Sequence, residues 1–292
     1  MQVGIYCRVF DPNQQEDVLR LLSQLKSNQI EPVLYAPFFE QIRSFWDDPQ
    51  PPALFYEAAE LNDRYECLIS LGGDGTLLDT VTLIQDKKIP LLGINFGRLG
   101  FLASIGREEL DTAVASLVNH TYVKDERTLL HLDSNLPLFG ETPYALNELA
   151  IQKLDTSSMI KIHTYLNGAF LNTYWADGLI VATPTGSTGY SLSCNGPVVF
   201  PDSGSFVITP VAPHNLNVRP IIVPDTNVIS FEIEGRADSF LCTLDSRKEI
   251  VSNRAQIAVK KENFTINLIR LNENSFLQTL RNKLSWGLDR RN

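Results

Sequence analysis

The sequence has little that could anchor a metal or a disulfide framework. Its four cysteines, Cys7, Cys67, Cys194 and Cys242, stand far apart with no C-x-x-C pair, and Cys7, Cys67 and Cys242 fall in apolar runs, so reduced, buried thiols are expected. Its four histidines, His120, His131, His163 and His214, show no H-x-x-x-H or His/Cys spacing, which argues against a protein-held zinc site. No apolar run approaches the ~20 residues of a bilayer span, and no basic segment precedes the first apolar run, 2-QVGIYC-7. Positive charge is scarce as well: 25 Lys and Arg against 34 Asp and Glu leave a net charge of −9. An acidic chain offers no broad electrostatic footprint for nucleic acid or an anionic membrane surface. These absences predict a cytoplasmic protein that engages neither, and that holds any anionic ligand locally.

What remains is an ordinary globular composition, 43% hydrophobic and 20% charged over 292 residues, a length that suggests two domains. Up to about residue 125, apolar strands at 2–7, 31–36, 66–71 and 89–95 alternate with helical periodicity at 14–30, 37–46, 76–85 and 108–119. In the first of these helices Val18, Leu21, Leu22 and Leu25 recur at helical spacing, whereas the prolines of 48–57 predict a loop. Such alternation predicts a parallel sheet with helices on its faces. After residue 125 the pattern changes to strands and turns, at 160–166, 169–175, 178–183, 206–212, 228–235, 240–245 and 264–271. Asn167-Gly168 between the first two is a two-residue hairpin signal. Helical signal returns at 275–287, with Ser275 as N-cap, Gly287 beyond the end, and Phe276, Leu277, Leu280 and Leu284 as an apolar stripe. The expected organisation is an α/β domain over 1–125, a predominantly β domain over 126–271, and a helix within 272–292 that docks back on the first domain.

Chemistry concentrates at 71-LGGDGTLLDTV-81. A turn from the carboxyl end of a parallel strand into a helix is where open α/β sheets place ligands. Gly72, Gly73 and Gly75 permit positive φ and close backbone approach, and the helix N-terminus at Thr76 offers N–H donors suited to phosphate oxygens. Asp74 does not suit a plain anion cradle. It either accepts a proton from a hydroxyl that attacks the phosphate, binds Mg²⁺, or is a turn residue. A second glycine-rich turn, 93-GINFGRLGFLA-103, leaves the next predicted strand. A third segment, 177-DGLIVATPTGSTGYSLS-193, is a strand running into a hydroxyl-rich turn, in which Gly186 and Gly189 let the backbone approach a planar group. Asn147 and Glu148, in 146-LNELAI-151, are suited to sugar hydroxyls.

The combination of G-G-D-G-T, G-x-N-x-G-x-L-G-F-L, N-E and D-G-x-I-x-A-T-P-T-G-S-T-x-Y-S-L-S, in this order, closely resembles the NAD kinase family in its bacterial branch. The resemblance runs from Ile5 to Gly287 and includes the ending F-L-Q-T-L-R-N-K-L-S-W-G. G-G-D-G-T is shared with diacylglycerol-type lipid kinases, and a related loop occurs in phosphofructokinases; T-P-T-G-S-T-G-Y-S-L-S is the specific segment. The resemblance implies a Rossmann-like parallel-sheet half and a β-rich half, and transfer of the γ-phosphoryl group of ATP, or polyphosphate in some members, to the 2′-hydroxyl of the adenosine ribose of NAD, giving NADP. It implies that Asp74 accepts the hydroxyl proton and that Gly72, Gly73, Gly75 and Thr76 hold phosphates. Asn147 and Glu148 would bind ribose hydroxyls, while Thr185, Thr188, Gly189, Tyr190, Ser191, Leu192 and Ser193 would line the adenine pocket. Asp177 would meet the nicotinamide end and Phe101 would supply an apolar wall. Mg²⁺ would arrive with ATP, with no metal held by the protein itself, and the assembly would be a homodimer or homotetramer. Two positions depart from the pattern: Trp175 stands where some bacterial relatives carry arginine, and Arg247 where relatives often carry glutamine. Arg247 is a phosphate ligand or a plain surface charge.

Two other functions fit parts of this pattern. A diacylglycerol-type lipid kinase needs a long apolar groove and a basic membrane-facing patch, which this acidic chain does not announce. A non-catalytic sensor of NAD or NADP has no use for a carboxylate placed against phosphate.

Overall fold

Strands and helices alternate from the first residues. In the computed structural model, which describes residues 1–46, 48–154, 158–271 and 276–286, they are β1 (Gln2–Tyr6), α1 (Gln15–Ser27), β2 (Glu31–Tyr35), α2 (Ala36–Ile42), β3 (Ala53–Phe55), β4 (Tyr65–Leu71), α3 (Asp74–Ile84), β5 (Leu91–Ile94) and α4 (Leu110–Val118). The strands pair in the order β3-β2-β1-β4-β5, all parallel, with registers such as Leu34↔Leu54, Gly4↔Val33, Ile5↔Ile69 and Leu71↔Ile94. β5 is buried throughout, and β1 and β4 nearly so, as strands covered on both faces must be. α1 buries the expected Val18, Leu21, Leu22 and Leu25, each worth roughly 1.5–3 kcal/mol relative to exposure. The chain moves outward from β1 to β2 and β3 and then returns to β4 on the other side of β1. The order therefore reverses at the carboxyl ends of β1 and β4, the crevice where such sheets hold ligands.

The remaining strands are β6 (Val123–Ser134), β7 (Tyr144–Ala145), β8 (Glu148–Lys153), β9 (Ile160–Leu166), β10 (Ala169–Ala176), β11 (Gly178–Ala182), β12 (Ser205–Val211), β13 (Ile221–Pro224), β14 (Ile229–Glu234), β15 (Ser239–Leu244), β16 (Arg247–Ser252) and β17 (Ile257–Arg270); the short helix α5 (Tyr190–Ser193) follows β11. One antiparallel sheet runs β13-β12-β11-β8-β15-β16, and β10, β9, β14 and β17 pair antiparallel in another. Both contribute to one core, which joins Ile162, Phe231 and Ile233 to Leu179, Phe206 and Phe240. The hairpin β9–β10 turns at Asn167 (φ 49°) and Gly168 (φ 80°), the two positive values that a tight hairpin with strand-matched twist requires.

The chain divides into two compact units, Met1–Glu126 with Ile266–Asn292, and Arg127–Thr265. The last residues of β17 belong to the first unit, where Leu268 pairs in parallel with Leu91, and Ile269 and Leu271 join the core of α1, α4 and β1. The final helix, α6 (Phe276–Leu284), lies in the same unit and buries Leu280.

Several local expectations need correction. β3 lies within the proline-rich segment read as a loop; its prolines, Pro51 and Pro52, sit just before it, and it is an edge strand, where proline is tolerated. The helix expected from Thr76 begins at Asp74, because Gly73 takes the extended N-cap conformation (φ −77°, ψ −174°). The turn expected after β11 is a 3₁₀ helix, Thr185–Thr188, followed by α5. In α6, Leu277 is 50% exposed and stands apart from the stripe. Its expected cap Ser275 and terminator Gly287 lie outside the described residues. Among the described residues, no helix is long and apolar enough to cross a membrane.

Candidate active site

In the first unit, the adjacent strands β4 and β5 each deliver a glycine loop, and the two loops are joined by one carboxylate. Gly72 sits at φ 143°, and an added Cβ would lie 2.5 Å from Thr76 Oγ1, so backbone and space both demand glycine there. Gly73 and Gly75 are different, and the expectation of positive φ fails for both. Gly73 has an ordinary φ of −77°, and Gly75 lies inside α3. An added Cβ at Gly73 would meet only Asn95 Nδ2 at 3.7 Å, and one at Gly75 would meet nothing within 4 Å. The fold itself does not require glycine at either position. The open space lies beside the first turn of α3, where Thr76 N–H is taken up by Gly73 O at 3.0 Å and the N–H groups of Asp74 and Gly75 have no acceptor within the helix.

Asp74, first residue of α3, turns its side chain onto the second loop. Oδ2 accepts from Phe101 N–H at 2.8 Å, and Oδ1 accepts from Leu102 and Ala103 N–H at 3.0 and 2.9 Å. An added Cβ at Gly100 would lie 1.7 Å from Asp74 Oδ1, so that glycine exists to admit the carboxylate. Within the same loop, buried Asn95 donates to Arg98 O and accepts from Gly97 N–H. Organising this loop is a task for Asp74 that the sequence does not announce.

Gly75→Ala tests what the open space is for. The substitution should leave the melting temperature unchanged or slightly raised, because alanine is about 0.5–1 kcal/mol better than glycine in a helix. Turnover should nevertheless fall tenfold or more when a ligand needs that space. Unchanged turnover would show that no ligand approaches there.

In the second unit, a carboxylate plays the same part with three consecutive amides. Half-buried Asp245 occupies the two-residue turn between β15 and β16 at φ 52°; its Oδ2 accepts from Leu146 N–H, and Oδ1 from Asn147 and Glu148 N–H, at 2.8–3.1 Å. Burial pushes the Asp245 carboxyl upward, against those N–H groups and the nearby Arg247. Glu148, 9% exposed, follows on β8, and Tyr190 N–H approaches its Oε2 at 3.4 Å. Burial first, and then the charge of Asp245, push the Glu148 carboxyl up to about 8. At neutral pH this side chain carries its proton and can both donate and accept, which matches a hydroxyl pair.

The hydroxyl-rich segment is more inward than its sequence suggests. Thr183 Oγ1 donates to Leu146 O, Ser187 Oγ to Pro184 O, Thr188 Oγ1 to Thr185 O, and Ser191 Oγ pairs with Thr209 Oγ1. Thr183, Ser187 and Ser191 are fully buried, and their hydroxyls are engaged within the unit. Gly186 is needed because an added Cβ would lie 2.0 Å from the Asn147 carbonyl oxygen, whereas one at Gly189 would lie 2.8 Å from Glu148 Oε2 and displace that carboxyl. Gly186, Gly189 and Tyr190 thus stand beside Asn147 and Glu148, Tyr190 with its hydroxyl held by Gln152. Buried Arg127 donates to Thr185 Oγ1 at 3.2 Å and was not foreseen.

The remaining expected residues have partners of their own. Asp177 pairs with Lys153 Nζ at 2.6 Å. Trp175, half exposed, packs on His214 with ring centroids 5.0 Å apart. Arg247 is no plain surface charge: its guanidinium donates to Thr142 O, Thr142 Oγ1 and Tyr144 O, which ties down the turn before β7. Among the described residues, no three His, Cys, Asp or Glu side chains converge as a metal-binding group.

Residues 11–122 match the ATP-NAD kinase N-terminal domain and residues 146–271 the ATP-NAD kinase C-terminal domain. The chain is 59% identical over 227 residues to the NAD kinase of Cytophaga hutchinsonii, covering 78% of each chain, and 43% identical to that of Flavobacterium psychrophilum over the whole of both. Its fold is similar to that of yeast NADH kinase complexed with NADH, with a TM-score of 0.87 and 24% identity over 99% of this chain and 88% of that one. It is also similar to an NAD kinase from Archaeoglobus fulgidus in complex with ATP, with a TM-score of 0.76 and 24% identity over 98% and 99%. Since both glycine loops and the Asp245 turn lie inside the matched domains, and full-length relatives exceed 40% identity, the chain belongs to the NAD kinase family and is a phosphotransferase acting on an alcohol group.

Proposed function

We propose that this chain transfers the γ-phosphoryl group of MgATP to the 2′-hydroxyl of the adenosine ribose of NAD, giving NADP and ADP. The observation that carries this reading is the open space at Gly75, beside the first turn of α3 and next to Asp74. A helix N-terminus with glycine at that point admits a phosphate group against backbone donors. In the transfer, the ribose O–H bond breaks, a new O–P bond forms, and the bond between the β–γ bridging oxygen and the γ-phosphorus breaks. Asp74 takes the proton. Its two oxygens offer about four acceptor sites, of which the second loop uses three, and Oδ2 keeps the remaining one. Mg²⁺, carried by the donor, offsets the charge of its phosphates.

Gly72, Gly73, Gly75 and Thr76 hold the donor phosphates in this reading. Asn147 and Glu148 bind the ribose hydroxyls, and Thr185, Thr188, Gly189, Tyr190, Leu192 and Ser193 frame the adenine with Ser191 behind them. Asp177 meets the nicotinamide end and Phe101 gives an apolar wall. Arg247 acts indirectly, through the turn it ties. The free, largely buried thiols are compatible with a cytoplasmic protein, which acts here as a homodimer or homotetramer.

The experiment is NADP formation from Mg²⁺, ATP and NAD, followed through an NADP-specific dehydrogenase, beside the same reaction on a diacylglycerol. NADP without lipid phosphorylation is expected. NAD binding without NADP would favour a sensor, and phosphorylated lipid a lipid kinase. Polyphosphate in place of ATP tests the second donor.

A further inference from the structure

A cavity of about 480 Å³ opens in the first unit between α6 and the second glycine loop. Arg98, Gly100 and Ser104 line it from the loop, and Thr279, Asn282 and Lys283 from α6. Among the described residues, neither Arg98 nor Lys283 takes part in an ion pair, in a chain whose net charge is −9. Two cations without an ion-pair partner and one carboxylate, Glu109, line this polar cavity, which leaves it net positive within an acidic chain and suited to hold an anion locally. Glu109, also on the wall, is engaged with Gly106 N–H at 3.0 Å.

The cavity abuts the candidate chemistry. Gly100 is the residue whose Cα is packed against the Asp74 carboxylate. Lys283 Nζ lies 6.0 Å from the centroid of Phe101, whose own N–H donates to Asp74 Oδ2. A lysine resting on an aromatic face is held near the loop by a weak attraction, about 0.5–1 kcal/mol at an exposed site, and is readily taken over by a phosphate. Arg98 complements it with a planar fork of donors.

We propose that this cavity binds the phosphate chain of the phosphoryl donor, with Arg98 and Lys283 as its charged ligands and Thr279, Asn282 and Ser104 as neutral donors. The inference rests on the kinase reading above and adds the donor's own binding residues. α6 then belongs to the site as well as to the fold.

The test uses the full chain with Arg98→Gln, Lys283→Met and the double variant; methionine keeps the apolar stem of Lys283 beside Phe101. Each single change should raise the KM for MgATP about tenfold, the effect of losing one charge-assisted hydrogen bond, while the KM for NAD stays within twofold. Inorganic tripolyphosphate should compete with ATP, and not with NAD, in the wild type, and about tenfold more weakly in the variants. A KM for MgATP within twofold of wild type in the double variant would overturn the proposal, as would variants that weaken ATP while leaving tripolyphosphate inhibition intact. Calorimetric titration of ATP into wild type and double variant tests the cavity without turnover. Equal affinity refutes the cavity even where NADP is formed, and a loss of affinity supports it even where no NADP is formed, so the two readings fail separately. Thermal melts confirm that the variants are folded.

Discussion

Asp74→Asn is expected to lower kcat for NADP formation by about 10²–10⁴-fold, the range that a positioned proton acceptor contributes, while the Kd for NAD stays within a few-fold. The structure adds a second expectation. Three backbone N–H groups point at the Asp74 oxygens, and asparagine can satisfy the pair at Oδ1 but must turn its own N–H₂ toward Phe101 N–H. One donor is then unpaired, which costs about 1–3 kcal/mol, and the melting temperature should fall by a few degrees. Gly100→Ala separates position from chemistry. It keeps the carboxylate and its charge, but the added Cβ would lie 1.7 Å from Oδ1, so the carboxylate or the loop has to move. If Asp74 acts from this place, Gly100→Ala loses kcat on a similar scale. Asp74→Asn losing NAD binding as severely as turnover would reduce the residue to an anchor for the loop. Full activity in Gly100→Ala would mean that the carboxylate works from another position.

The second large effect lies in the pH dependence of stability, through Glu148. Its carboxyl titrates at about 8 in the folded chain against an ordinary 4.5, because burial and the charge of Asp245 disfavour its ionised form. The folded state therefore binds more protons than the unfolded state between those values, and stability falls as pH rises through that window. The loss amounts to about 1.4 kcal/mol for each pH unit crossed, and is complete above pH 8. Glu148→Gln removes the titration while keeping a side chain of similar shape. The variant should melt several degrees above wild type at pH 8.5 in the absence of ligand, with little difference at pH 5. Asp245 shifts in the same direction and remains in both proteins; since its charge is one cause of the Glu148 shift, the difference between the two proteins reports Glu148 together with its coupling to Asp245. Parallel melting curves for the two proteins from pH 5 to 9 would refute the protonated state. NADP formation by the variant should fall as well, since Glu148 is assigned to the ribose hydroxyls.

Much of this was legible in the sequence, and the reasons for the rest are physical. The parallel sheet followed from apolar runs alternating with 3.6-residue periodicity, and the β9–β10 hairpin from Asn167-Gly168. The Gly72 turn and the loop after β5 were legible because glycine there answers to backbone geometry or close approach. Asp245 was not legible. Its signal is the two-residue polar turn Asp245-Ser246 between alternating strands, just before Arg247, and the carboxylate, nearly a hundred residues from its partners, fixes Asn147 and Glu148. The hydroxyl-rich segment was misread in part because a sequence counts donors without naming their acceptors. Thr183, Ser187 and Ser191 satisfy the interior of their own unit. Asn95 and Arg127 were hidden for the same reason, each a lone polar residue whose partner lies beyond the reach of any local pattern.

The division of the chain has a consequence for the order in which it can fold during synthesis. The second unit is one uninterrupted stretch, Arg127–Thr265, whereas the first needs Ile266–Asn292 as well as Met1–Glu126. A nascent chain that has just released Glu126 holds β5 without its Leu268 neighbour, and a core without Ile269 and Leu271. That sheet edge stays open while more than a hundred further residues are made, an exposure of the kind that chaperones guard. The unit that starts first is therefore the one that finishes last.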